Sequence, residues 1–211
     1  MELAVVGATG GTGLALLRAA LAAGHTVTAV ARHPDRIPVD DQRLRRVRAD
    51  VLDPASLDGT LDRADAVLSA LGSPGGRQPT TVYSTGTANI LGAMHGLGVR
   101  RFVGVSALPV TPRTEVGAVE RFLLYPVLYR FFGEGYADMA RMEEVLRHSD
   151  AEWTVVRPPR LTDGPATGRY RTAIGHHLPQ ARTISRADLA GAMLRLLDDP
   201  RAVRATVAVA Y

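Results

Sequence analysis

The stretch Gly7-Ala8-Thr9-Gly10-Gly11-Thr12-Gly13 decides the fold. It stands between the apolar run Leu3–Val6 and a segment in which Leu14, Leu17 and Leu21 recur at helical spacing. A chain that leaves a strand and enters a helix within so few residues must turn sharply. Glycine permits the dihedrals and the close backbone approach that a Cβ forbids. The turn exposes N–H groups to a phosphate, and the positive end of the following helix faces the same point. Thr9 and Thr12 add hydroxyl donors. In this strand–turn–helix context the pattern predicts a dinucleotide cradle.

Outward from the loop, apolar runs recur at Thr26–Ala31, Leu44–Arg48, Ala66–Ala70, Arg101–Ser106, Trp153–Arg157 and Ala205–Ala210. Helical patterns separate most of them, at Gly13–Ala23, Pro54–Leu61, Thr81–Gly96, Tyr136–His148 and Ser185–Leu197. Continuous apolar strands alternating with amphipathic helices predict an α/β fold, a doubly wound parallel sheet of Rossmann type with helices on both faces. No repeat or linker divides the chain, so residues 1–211 are expected to form one domain with a helical insertion at about 112–135. Gly24 suits a left-handed helix end, and Ser185 with Asp188 resembles a capping box. The stretch Val116–Phe132 is strongly apolar but broken by Pro126; it reads as a buried helix pair, a dimer face or the wall of a substrate pocket.

The end of the second strand bears on cofactor choice. A carboxylate about 20 residues past the glycines bonds the ribose 2′-hydroxyl of NAD. This chain has Arg32, and Arg36 four residues on. Guanidinium groups grip a 2′-phosphate that a carboxylate would repel, so NADP(H) is expected over NAD(H).

Composition excludes several classes. There is no cysteine, hence no disulfide framework, thiolate metal site or cysteine nucleophile. All 25 basic residues are arginine, and the net charge is +4. The densest basic cluster, Arg43, Arg45, Arg46 and Arg48, lacks interleaved aromatics, so nucleic-acid binding is not expected. No secretory leader or membrane span is read, and the expected setting is cytoplasmic, as a monomer or homodimer acting on a small molecule. His176 and His177 lie without a carboxylate at metal spacing, so no metal site is expected. Glu143 and Glu144 beside Arg147 read as a surface ion pair. With no lysine anywhere, a tyrosine whose pKa is lowered by a lysine four residues later is impossible; Tyr136 is followed there by Ala140.

Taken with Ala49-Asp50-Val51-Leu52, Leu71-Gly72, Val105-Ser106-Ala107, Arg141 to Leu146, Arg157 to Thr162 and Ile184 to Ala190, the sequence resembles the atypical short-chain dehydrogenase/reductases. It is most similar to the biliverdin-IXβ reductase/flavin reductase group and its NmrA-like relatives. The resemblance implies that Asp50 and Val51 sit by the adenine and that Leu71 and Gly72 line the cofactor. It implies that Ser106 points at the nicotinamide region and that Pro158 contacts the nicotinamide. Such enzymes can carry a histidine after the Pro-Pro pair; here Arg160 stands there, a fixed cation suited to an anionic or enolate-like group. The expectation is an NADPH-dependent reductase of a flavin, quinone or enone-like acceptor, with Ser106 and Arg160 as catalytic groups. Two alternatives are a non-enzymatic NmrA-like dinucleotide sensor and a non-redox isomerase or cyclase on the same fold.

Overall fold

The structure is a computed structural model and describes all residues except 74–77, 113, 115–116 and 118–119; Val116, where the apolar stretch begins, lies outside the described residues. Strand β1 (Glu2–Val6) leads through the glycine loop to α1 (Gly11–Ala22), then β2 (Thr26–Ala31), β3 (Leu44–Arg48) and β4 (Ala66–Ser69). Helix α2 (Ser84–Leu97) and β5 (Arg101–Val105) precede α3 (Tyr125–Arg147) and β6 (Glu152–Arg157). Three short strands follow, β7 (Arg160–Thr162), β8 (Arg171–Ile174) and β9 (Thr183–Ser185), then α4 (Arg186–Leu197) and β10 (Ala205–Ala210).

The main sheet runs β3-β2-β1-β4-β5-β6-β10-β8. Its strands are parallel except β8, which lies antiparallel on β10 at the edge. Alternate residues of each strand feed two separate cores. Leu3 and Val5 pack with Leu16, Leu17, Leu189 and Met193 beneath α1 and α4. Ala4 and Val6 pack with Ile90, Met94, Met142 and Leu146 beneath α2 and α3. Burial on both faces is why these strands read as unbroken apolar runs. The strand order reverses direction between β1 and β4, and in open α/β sheets the crevice at that switch point takes the ligand.

The seven strands expected from sequence are all present, to within a residue at each end. Gly24 follows the end of α1 with φ +86°, as its position suggested. Two helix expectations need correction. Pro54–Leu61 yields only a 3₁₀ turn at Pro54–Leu57, started by the Asp53 side chain accepting from the Ala55 N–H. Helix α3 begins eleven residues earlier than Tyr136, at Tyr125, continuing a π-helical turn at Glu120–Leu124. Pro126 does not interrupt it. It is the second residue of the α-helical segment, where its fixed φ suits the helix.

Candidate functional site

The glycines of the loop have distinct tasks. Gly7 adopts φ +77°, and a Cβ there would lie 2.5 Å from the carbonyl oxygen of Ala70 on the neighbouring strand's end. A Cβ on Gly13 would overlap the Gly7 carbonyl, so this position lets α1 pack against its own entry turn. Gly10 is different: a Cβ would meet nothing nearer than 3.5 Å. A Cβ at Gly10 would therefore displace nothing, so packing alone does not require a glycine there. Leu14 makes the first helical bond, N–H to the Gly10 carbonyl at 2.8 Å, which leaves the N–H groups of Gly11, Thr12 and Gly13 outside the ladder. Open backbone donors beside a residue with no side chain fit a pyrophosphate.

The residues expected to meet the adenine and its ribose stand at the ends of β2 and β3. Arg32 and Arg36 are both exposed, and among the described residues neither makes an ion pair. By contrast, three of the four arginines of the basic cluster are occupied: Arg43 pairs with Asp41, Arg45 with Asp62, and Arg46 donates to the Val39 carbonyl. Asp50 accepts from the Leu52 N–H at 3.1 Å, which fixes its turn. Val51 is buried, its carbonyl held by the Asn89 side-chain amide at 2.8 Å. A Cβ on Gly86 would lie 2.9 Å from the Val51 side chain and 3.2 Å from that of Leu71, so α2 presses directly on this pair. Gly72 is exposed beyond them.

Past β5 and β6 a cavity of about 620 Å³ opens between Ala107–Pro109, Pro158–Arg160 and the inner side of α3. Leu124, Tyr125, Leu128, Phe132 and Met139 make its wall apolar, while the exposed side chains of Arg160 and Arg182 stand at its edge. Two α3 tyrosines anchor the floor: Tyr125 donates to the Leu108 carbonyl at 3.3 Å and Tyr129 to the Pro109 carbonyl at 3.0 Å. Tyr136 also lines the cavity, its ring packed on Tyr129 and Phe132. Burial pushes its phenol above the ordinary value, and the nearby Tyr129 and Tyr83 add to the shift. The apolar stretch therefore serves as a pocket wall on one side, while Phe122, Leu123, Val127 and Phe131 remain exposed on the other.

Under this cavity sits a buried charge cluster that sequence reading misplaced. Glu143 is 2% exposed and not a surface residue. Arg157 donates to it through Nε at 3.0 Å and Nη2 at 2.5 Å. Ser106 donates its hydroxyl to Glu143 Oε1 at 2.8 Å. The proton of Ser106 is thus directed at Glu143, and Ser106 is not part of the cavity lining. That geometry suits a positioning group rather than one that stabilises substrate charge. The ion pairs expected with Arg147 both form, with Glu144 at 2.5 Å and with Glu143 Oε2 at 3.3 Å, so only the surface placement of Glu143 is corrected. His176 and His148 each direct Nδ1 at a backbone carbonyl, of Ile174 and Glu144, at 2.9 Å.

Several residues escaped the sequence. Asp138 is fully buried on α3 and caps α2 from outside, accepting from the Tyr83 N–H at 2.9 Å and from the Ser84 hydroxyl. A signal existed, because Asp138 falls four residues before Met142 and eight before Leu146, on the buried stripe. Glu143 shares that stripe one step over. Arg182, between two short strands, had none.

Residues 7–200 match the NAD(P)H-binding protein family. An uncharacterized chloroplastic protein of Arabidopsis thaliana is 33% identical over 174 residues, 78% of this chain; the chain spans 60% of that relative's length. Among solved structures, a short-chain dehydrogenase/reductase of Veillonella parvula in complex with NADP superposes with a TM-score of 0.84 at 19% identity, covering all of this chain and 94% of that one. The anaerobillin reductase ChuY of Escherichia coli O157:H7 superposes with a TM-score of 0.78 at 21% identity, covering all of this chain and 97% of the other. At these identities the two structures share the fold with this chain. Among the described residues, no helix is long and apolar enough to cross a membrane.

Proposed function

This chain belongs to the NAD(P)H-binding family, and from that premise we propose that it is an NADPH-dependent reductase of a planar or conjugated acceptor carrying negative charge. The observation that supports this best is the cavity after β5 and β6: apolar on its walls, edged by Arg160 and Arg182, and adjoining Pro158. Its volume of about 620 Å³ falls in the range of small-molecule sites and admits a fused-ring acceptor such as a flavin or quinone, or an enone. Bound NADPH supplies the hydride.

The chain's own residues bind, orient and neutralise. Gly11, Thr12 and Gly13 offer backbone donors to the pyrophosphate, and Arg32 with Arg36 meet the 2′-phosphate. Arg160 stabilises charge that builds on the acceptor, since a guanidinium does not act as an acid near neutral pH. Ser106 acts through Glu143 and Arg157, keeping the loops after β5 and β6 in register below the acceptor. Tyr136 stays a neutral phenol and orients substrate. The final proton comes from water or from the substrate itself, because no lysine is present to lower a tyrosine's pKa. The reading is tested by comparing reduction of anionic and neutral acceptors of similar shape by the unmodified protein and by Arg160→Ala. Preference for the anionic acceptor, lost in the variant, supports it; equal use of both by the unmodified protein refutes the charge assignment.

A further inference from the structure

The glycine loop has a neighbour from the far end of the chain. Arg186 is the first residue of α4, and α4 packs along α1 on one face of the sheet. Its side chain crosses directly over Gly11: a Cβ on Gly11 would lie 2.8 Å from Arg186 Nε and 3.0 Å from its Cδ. Gly11 thus faces a long side chain, where Gly7 and Gly13 face backbone. It makes room for a guanidinium at the N-terminal end of α1, beside the N–H groups that the helix leaves unused. Placing a cation at the positive end of a helix is electrostatically unfavourable unless an anion joins them.

An anion from the protein is present, though loosely. Arg186 Nη1 donates to Asp163 Oδ1 at 2.5 Å, but the Asp163 side chain is 88% exposed while that of Arg186 is 30% exposed. Such a pair is worth little to stability. The base of Arg186 is, on the contrary, firmly built. Ser185 accepts from the Asp188 N–H at 3.0 Å, starting the helix. The Asp188 carboxylate then accepts from Thr167 and Gly168 N–H groups and from the Tyr211 hydroxyl, pinning the loop that carries Asp163. A cation carried on a firmly capped helix start, with a solvent-facing carboxylate as its partner, is arranged for exchange of one anion for another.

We infer that Arg186 is a pyrophosphate-binding residue, mounted over Gly11 and parked on Asp163 until the dinucleotide's phosphates take that carboxylate's place. The inference rests on the dinucleotide reading of the loop. It separates Arg186, which would meet the part common to both cofactors, from Arg32, which would meet only the 2′-phosphate.

The experiment measures dissociation constants of the full chain for NADPH, NADH and adenosine 2′-phosphate by calorimetry or fluorescence, with thermal melts as a folding control. Arg186→Gln is expected to weaken both dinucleotides by about 10- to 100-fold, as for loss of a charge-assisted bond to phosphate, and to leave adenosine 2′-phosphate unchanged. Arg186→Lys should recover part of the loss, and Asp163→Asn should tighten NADPH only where Arg186 is intact. Unchanged dinucleotide affinity in Arg186→Gln overturns the inference, as does an equal loss for adenosine 2′-phosphate, which would mark a general collapse of the loop. Asp163→Asn acting equally in both backgrounds overturns the exchange. If the unmodified protein binds neither dinucleotide, the reading of the loop itself fails and the inference falls with it.

Discussion

Arg157 and Glu143 face each other in two-point contact beneath the cavity, at 3.0 and 2.5 Å, with both side chains almost wholly buried. Arg157 closes β6 immediately before Pro158, and Glu143 comes from α3, so the pair joins two of the three surfaces that shape the pocket. A buried pair of this kind contributes more when one partner is removed than when it is formed, because the survivor is left as an uncompensated charge. Glu143→Ala is expected to lower stability by about 3–5 kcal/mol. Denaturant unfolding would check this; a loss no larger than that of a surface substitution would contradict the pair's role.

Ser106 hangs on the same carboxylate. Ser106→Ala removes one hydrogen bond to a charged group and should cost about 1.5–3 kcal/mol of stability. If Ser106 only positions the loops, its loss lowers kcat without changing the dissociation constant for NADPH. A large loss of cofactor affinity, with stability intact, would mean that the hydroxyl touches the cofactor directly.

Tyr136 gives a sharper test of the chemistry. With no lysine to lower its pKa and burial raising it, the phenol stays protonated throughout the neutral and mildly alkaline range. Tyr136→Phe should therefore hold turnover within about tenfold, because no general-acid contribution of roughly 10²–10⁴ is removed. The kcat profile of the unmodified protein should show no step from this group below the ordinary tyrosine value. A collapse in Tyr136→Phe would make the unassisted tyrosine the proton donor.

Acid stability should report on Asp188. Burial alone would raise its carboxyl, but bonds from Tyr211, Thr167 and Gly168 more than offset this and hold it down to about 2. Because the folded pKa lies below the unfolded one, the group's contribution is fully present above about pH 4 and is lost as pH falls toward 2; it amounts to about 2 kcal/mol. Tyr211→Phe should shrink that contribution and move the acid-unfolding midpoint upward. An unmoved midpoint would show that the hydroxyl is not coupled to the carboxylate.

The loop glycines should separate into two classes. Gly13→Ala forces a methyl against the Gly7 carbonyl and should destabilise the fold by about 1–3 kcal/mol. A Cβ on Gly10 makes only an ordinary contact with the Gly7 carbonyl oxygen at 3.5 Å, so in Gly10→Val the fold should melt normally while dinucleotide binding is lost. Normal binding in Gly10→Val would remove this loop from the cofactor site.

Much of this architecture was legible because a doubly covered parallel sheet writes its strands as apolar runs. Thr26–Ala31, Leu44–Arg48 and Ala205–Ala210 could be read to the residue. The edge elements could not. Strands β7, β8 and β9 have three or four residues each, rich in Arg and Thr, and owe their form to tertiary pairing rather than local pattern. Arg32 and Arg36 can be proposed from sequence alone because the chemistry asked of them follows from position along the chain. The burial of Glu143 is not legible because its ion pair with Arg147, four residues on, is what a helix surface also shows, while Arg157, its second partner, lies fourteen residues away on a strand. Arg186 was unreadable as a neighbour of Gly11, since nothing in sequence relates residues so far apart.

The central claim is hydride transfer from NADPH to an acceptor in the cavity edged by Arg160 and Arg182. It is tested most directly by anaerobic mixing of the unmodified protein with NADPH and a panel of flavins, quinones and enones, following nicotinamide absorbance and acceptor reduction together. The account predicts catalytic loss of NADPH matched mole for mole by reduced acceptor, faster with NADPH than with NADH. Tight NADPH binding with no oxidation by any acceptor would contradict it and leave a dinucleotide sensor in its place.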